Sequence, residues 1–292
     1  MSFTSMVVRN MFKGGDEKRD AGLTTPENIE RFDDICYGPD KDWQKLDVYR
    51  PKDKAGEKLP VLISVHGGGW VYGDKERYQF YCMDLAGRGF AVVNFTYRLA
   101  PKYKYPASLE DTDLAVKWVL AHGAEYDMDT SRVVAVGDSA GAHMLALYAD
   151  ICINPEYAKE YPFTAPEGFN FKAIALNCGQ YYFDPAQRSS LTGKLMKDFL
   201  PKCSAETYRL ISPVYYITED FPPTFYMTSN GDFLRDQAPF LGAQLEKHGI
   251  ENEFRDFGSE EHSLGHVFHL DIRSEDAKTC NDMECGFLKR FI

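Results

Sequence analysis

No stretch of this 292-residue chain is apolar over the roughly 18 residues that a membrane-spanning helix needs. The opening, MSFTSMVVRNMFKGGDEKRD, has no sustained apolar core followed by a small-residue cleavage site, so a cytoplasmic protein is expected. Positive charge is in short supply. The 33 Lys and Arg face 44 Asp and Glu, a formal net charge of -11, and no cation cluster is present to displace counterions from nucleic acid or an anionic membrane. Close cysteine pairs are missing too. The seven cysteines (36, 82, 152, 178, 203, 280 and 285) are odd in number and widely spread, which argues against a disulfide framework or a zinc site and for mostly buried thiols. There is no internal repeat and no low-complexity tract.

What is present is enough apolar residue, 44% with 14% aromatic, for one sizeable domain spanning 1–292 with an insertion. The first 45 residues begin polar and weakly patterned and read as an arm or partial cap. KLDVYR alternates as a half-buried strand, while PVLISVH (60 to 66), GFAVVNFTYR (89 to 98) and RVVAVG (132 to 137) read as buried strands. FKAIALN, PTFYMTSNG and ENEFRDFG follow as further strands. ASLEDTDLAVKWVLAH sets Leu109, Val116 and Leu120 on one helical face, and QAPFLGAQLEKHG is a second helix closed by Gly249. Strands alternating with helices over this length predict an α/β protein with a mostly parallel sheet, whose ligands sit beyond the carboxyl ends of the strands. Between these elements, residues 179–215 form an aromatic, irregular insertion expected to contribute to a cap.

GDSAG (137 to 141) fits G-x-S-x-G between a strand and a helix. A serine hydroxyl attacks only when a sharp turn lifts it clear of the backbone, and glycines two positions to either side avoid clashes there. Ser139 is therefore the candidate nucleophile, and the Ala140 amide at the helix start a candidate oxyanion donor. The plainer alternative is a helix start capped by Ser139 or Asp138. Such a serine needs a histidine base and an orienting carboxylate, in the chain order serine, acid, histidine. Asp232 follows a strand directly and is preferred over Asp236, which is placed to cap the next helix. For the base, EEHSLGHVFHL offers His262, His266 and His269, and composition alone leaves them unresolved. His143 lies too near Ser139 on its helix, and His122 and His248 sit near helix ends.

SVHGGGWVYGDK (64 to 75) puts three glycines directly after a buried strand, where backbone amides can approach a reacting carbonyl. Gly67 and Gly68 are the remaining candidate oxyanion donors, His66 a scaffold residue and Trp70 a wall of the substrate pocket.

HGGGW, YRLAPKYKYPASLED (97 to 111), GDSAG, DFLRD (232 to 236) and HVF (266 to 268) occur in the order found in the hormone-sensitive lipase family, and from Leu46 onward the chain resembles those carboxylesterases. The resemblance implies an α/β-hydrolase fold, hydrolysis of short-chain acyl or aryl carboxylic esters without a cofactor or metal, and a small-molecule ester as the partner. It also favours His266 as the base, because Phe268 keeps the family's phenylalanine two residues on, although Val267 replaces the family's glycine and Phe233 its proline. A related branch hydrolyses aryl formamides with a similar H-G-G-x-W sequence, and the fold also serves as a non-catalytic binding module. Both remain alternatives to the esterase.

Overall fold

The computed structural model describes residues 1–187 and 189–292, so position 188 of the predicted insertion lies outside the described residues. Its elements are α1 (Phe3–Asp20), β1 (Ile29–Cys36), β2 (Lys45–Pro51), β3 (Leu59–Val65), α2 (Lys75–Ala86), β4 (Ala91–Phe95) and α3 (Ala107–His122). Then come β5 (Met128–Asp138), α4 (Ala140–Ile153), the single turn α5 (Pro155–Ala158), β6 (Ile174–Asn177), α6 (Leu191–Phe199) and α7 (Ala205–Leu210). The chain closes with β7 (Thr224–Ser229), α8 (Ala238–Lys247), β8 (Asn252–Phe257) and α9 (Glu275–Lys289).

One eight-stranded sheet runs β1-β2-β4-β3-β5-β6-β7-β8. β1 and β2 pair antiparallel at one edge, β2 pairs antiparallel with β4, and every pairing from β4 to β8 is parallel. The central strands β3, β4 and β6 and the second half of β5 are rich in Val, Ile, Leu and Ala because helices cover both faces there. Leu109 and Val116 of α3, Leu145 of α4 and Leu241 of α8 join the core on one face, while Tyr81 of α2 and Leu288 of α9 join that on the other. KLDVYR departs from the half-buried expectation. Leu46 and Val48 enter one core and Tyr49 the other, so six of the seven β2 residues are buried.

The leading segment is more ordered than its polar composition predicts. α1 is an 18-residue helix whose Ser2 side chain accepts from the Ser5 amide, and β1 extends the sheet. The insertion also folds into helices, α6 and α7, and α1 packs against α6 over the carboxyl ends of the strands. Asp236 does not cap α8. It lies in a single 3-10 turn, Arg235–Gln237, and the N-cap position falls to Gln237 without a side-chain cap. Gln237 instead accepts from the amides of Tyr181 and Tyr182 at 3.1 and 2.9 Å and pins the start of the insertion. All seven cysteines are free, four of them buried. Among the described residues, no helix is long and apolar enough to cross a membrane.

Candidate active site

Ser139 stands between β5 and α4 with φ 55° and ψ -113°, a conformation disfavoured for a residue with a side chain. Neighbouring structure holds it there. The Ser139 amide donates to the Asn177 carbonyl at the end of β6 at 2.8 Å. The flanking glycines are required by close approach: a Cβ on Gly141 would lie 1.9 Å from the Val65 carbonyl oxygen, and one on Gly137 2.6 Å from that of Gly141. Neither Ser139 nor Asp138 makes a side-chain cap bond to α4.

Asp232 and His266 meet Ser139 across 93 and 127 residues of chain. His266 Nδ1 donates to Asp232 Oδ1 at 2.7 Å, and the Ser139 hydroxyl donates to His266 Nε2 at 2.9 Å. Because a carboxylate only accepts, the neutral ring carries its proton on Nδ1 and presents a lone pair to the serine. Asp232 is fixed by further donors, Thr228 Oγ1 to Oδ2 and the Leu234 amide to Oδ1, both at 2.9 Å. Burial alone would raise its pKa, but the hydrogen bond and charge of His266 and the Leu234 amide outweigh it and hold the carboxyl below its ordinary value. Phe233, where the related family has proline, lays its ring 4.3 Å from that of His266. Cys178 contributes a thiol near Asp232 and His266, a group whose donor atoms lie within 4.8 Å of one another. Those atoms are already engaged: His266 and Asp232 hold each other, and burial keeps the thiol protonated.

Four other histidines have partners of their own. His262 is exposed and bonds Asp276 at 2.8 Å. His269 is fully buried, with Nε2 2.6 Å from Asp138 Oδ1. His66 donates from Nδ1 to the Gly67 carbonyl at 2.8 Å and stacks on Tyr97 at 3.9 Å. Burial lowers its pKa to about 4, so the ring is neutral, as suits a scaffold residue. His143 donates from Nε2 to the Ile211 carbonyl at 2.7 Å and accepts from the Trp70 indole at 3.1 Å. It ties α4 to the insertion, and burial brings its pKa to about 4 as well.

In the glycine loop the three amides differ in their partners. The Gly67 amide is engaged with the Tyr78 hydroxyl at 2.9 Å, whereas the amides of Gly68, Gly69 and Ala140 have no acceptor among the described residues. Three glycines in a row thus leave the second and third amides, not the first, free beside Ser139. Trp70, with φ 64°, is 4% exposed and stacks on Phe199 at 5.0 Å, so it is mainly core, with one edge on a recess that reaches Ser139. Tyr78, and Met11 and Phe12 of α1, line the neighbouring cavity with Ser139 and His266 and were not singled out in the sequence. Val8 and Phe12, four residues apart and both turned inward, are the one sequence signal that α1 has a packed face.

The BD-FAE family profile matches residues 46–237. Esterase LipC of Mycobacterium tuberculosis is 30% identical over 68% of this chain, a stretch that spans half of LipC. An esterase of Gibberella moniliformis is 26% identical over 82% of this chain and 79% of its own length. The crystal structure of an inhibited esterase B from Lactobacillus rhamnosis superposes with a TM-score of 0.87 at 24% identity, covering 98% of this chain and 96% of that one, which shows the shared fold. With the profile covering most of the sheet and both halves of the Ser139 turn, the chain belongs to the BD-FAE family and has the α/β-hydrolase fold that its resemblance to hormone-sensitive-lipase-type carboxylesterases implies.

Proposed function

We propose that the protein is a carboxylic ester hydrolase that forms an acyl-enzyme on Ser139, with His266 as the base and Asp232 orienting it. The relay from Ser139 through His266 to Asp232, at 2.9 and 2.7 Å, carries this reading. His266 takes the serine proton as the hydroxyl adds to the ester carbonyl, and Asp232 stabilises the imidazolium that forms. The carbonyl oxygen becomes an anion. The amides of Gly68, Gly69 and Ala140 are the donors we assign to it, and one such donor is worth about 3 kcal/mol in the transition state. His266 then protonates the departing alcohol, and water, deprotonated by the same ring, releases the acid. The esterase names of the relatives from M. tuberculosis and G. moniliformis support this reaction class.

The substrate in this reading is a small-molecule ester with a short acyl or aryl group, and the seven free cysteines suit the reducing cytoplasm. Ser139→Ala is expected to keep its circular dichroism spectrum, lose turnover of p-nitrophenyl acetate and lose covalent labelling by a fluorophosphonate. Retained turnover would remove Ser139 from the mechanism.

A further inference from the structure

Two spaces of very different size meet at Ser139. One is a cavity of about 320 Å³ lined by His266 and by Phe12, Tyr72, Tyr78, Val267 and Leu270. The other is a recess of about 20 Å³ lined by Gly69, Trp70, Ala140, Leu191 and Leu195, without His266. Which substituent of the ester occupies which space follows from proton transfer. His266 Nε2 must reach the oxygen of the departing alcohol, so the alcohol lies on the His266 side and the acyl chain on the other. The larger cavity is of the size that encloses a small organic molecule, whereas about 20 Å³ is little more than the space of one water.

We infer that the enzyme acts on esters of a one- or two-carbon acid with a bulky apolar or aryl alcohol, and that Leu191 and Leu195 set the acyl limit; this rests on Ser139 being the nucleophile. Leu195 Cδ1 would lie 3.1 Å from a Cβ placed on Gly69, so it closes the recess against the glycine loop. The helix that carries it is held in place. The Ser190 side chain caps α6 by accepting from the Gly193 amide at 3.0 Å, and Phe199 at its far end stacks on Trp70. Beyond Leu191, Thr192, Phe233 and Leu234 lies a groove of about 540 Å³ that shares those residues with the recess. Truncating Leu191, which lines both spaces, therefore joins the recess to the groove, and truncating Leu195 enlarges the recess itself, so either lets a longer chain in.

The test compares p-nitrophenyl acetate, butyrate and hexanoate on wild type, Leu195→Ala and Leu191→Ala, and acetate esters of methanol and 1-naphthol on wild type. Wild-type kcat/KM is expected to fall at least tenfold from acetate to hexanoate and to be higher for naphthyl than for methyl acetate. Each variant is expected to raise the hexanoate-to-acetate ratio by roughly tenfold or more, the scale on which a pocket discriminates a methylene or two. Leu191 is half-buried, so Leu191→Ala keeps the test available if the core variant Leu195→Ala does not fold. A wild-type rate that rises with chain length, or ratios unchanged in folded variants, overturns the inference. Fluorophosphonate labelling of wild type separates the two readings: labelling with a flat chain-length profile sinks only the acyl limit, and no labelling sinks the nucleophile.

Discussion

The Gly67 amide donates to the Tyr78 hydroxyl at 2.9 Å, close enough to Ser139 that a Cβ on Gly67 would lie 2.9 Å from Tyr78 Oη and 3.4 Å from Ser139 Cβ. Burial and the nearby Asp138 charge raise the Tyr78 pKa well above its ordinary value, so the phenol stays protonated and neutral while it accepts. It thereby fixes the first peptide of the glycine loop and, through it, the direction of the next two amides. Tyr78→Phe leaves a buried N–H without a partner, a cost of about 1–3 kcal/mol, and frees the loop to rotate. The expected result is a kcat for p-nitrophenyl acetate lowered by roughly tenfold to a hundredfold, on the scale of one weakened oxyanion donor, with KM little changed. A lower melting temperature with kcat intact would make Tyr78 a packing residue only.

Two histidines four residues apart in EEHSLGH differ completely in environment. His266 bridges Ser139 and Asp232, whereas His262 lies at the surface against Asp276. His266→Ala is expected to lower kcat/KM by several orders of magnitude, and His262→Ala to stay within about twofold of wild type, since an exposed pair of this kind contributes about 0–1 kcal/mol. Parallel kinetics on the two variants decide it, and an inactive His262 variant beside an active His266 variant would reverse the assignment.

The sheet strands and the Ser139 turn were legible because their signals are local: apolar runs bounded by turns, and glycines where backbone approaches backbone. The leading arm was not. α1 turns Phe3, Met6 and Val7 outward as well as Val8 and Phe12 inward, so its apolar residues form no single stripe, and β1, IERFDDIC, carries the charges of a sheet edge. KLDVYR looked half-buried because alternation reports one covered face, while α2 and the α3 and α4 layer cover both. Gly67 and Gly68 were not separable by sequence, because the partner that engages Gly67 is a tyrosine eleven residues on, in the next helix.

Behind the nucleophile lies a pair without solvent access. Asp138 Oδ1 accepts from His269 Nε2 at 2.6 Å and from Asn177 Nδ2 at 3.1 Å, and both members of the Asp138–His269 pair are fully buried. Since Asp138 precedes Ser139 and His269 follows His266 by three residues, the pair joins the two segments that must meet for proton transfer. His269→Ala strands a buried carboxylate and is expected to cost about 3–5 kcal/mol, read from the urea midpoint at constant m-value. Combining it with Asp138→Asn removes the stranded charge, so the double variant is expected to lose less than the sum of the single losses. Strict additivity would show that the two side chains do not act as a pair.

The same buried network predicts a pH dependence of stability. Glu284 of α9 accepts from the Tyr81 hydroxyl at 2.7 Å and from Asn177 Nδ2 at 2.8 Å, and it is buried. Burial raises its pKa from 4.5 to about 7, against the opposing influences of His269, Asn177 and Tyr81. The folded protein therefore binds this proton more tightly than the unfolded chain. Its contribution to stability is complete below the unfolded value and is lost as pH rises through about 7. Glu284→Gln preserves the neutral shape at every pH. The melting temperature of wild type minus that of the variant is expected to fall as pH rises from about 5 to about 8, by the equivalent of at most about 3 kcal/mol. A difference that stays constant, or grows with pH, would mean that Glu284 is ionised in the folded protein, paired in charge with His269.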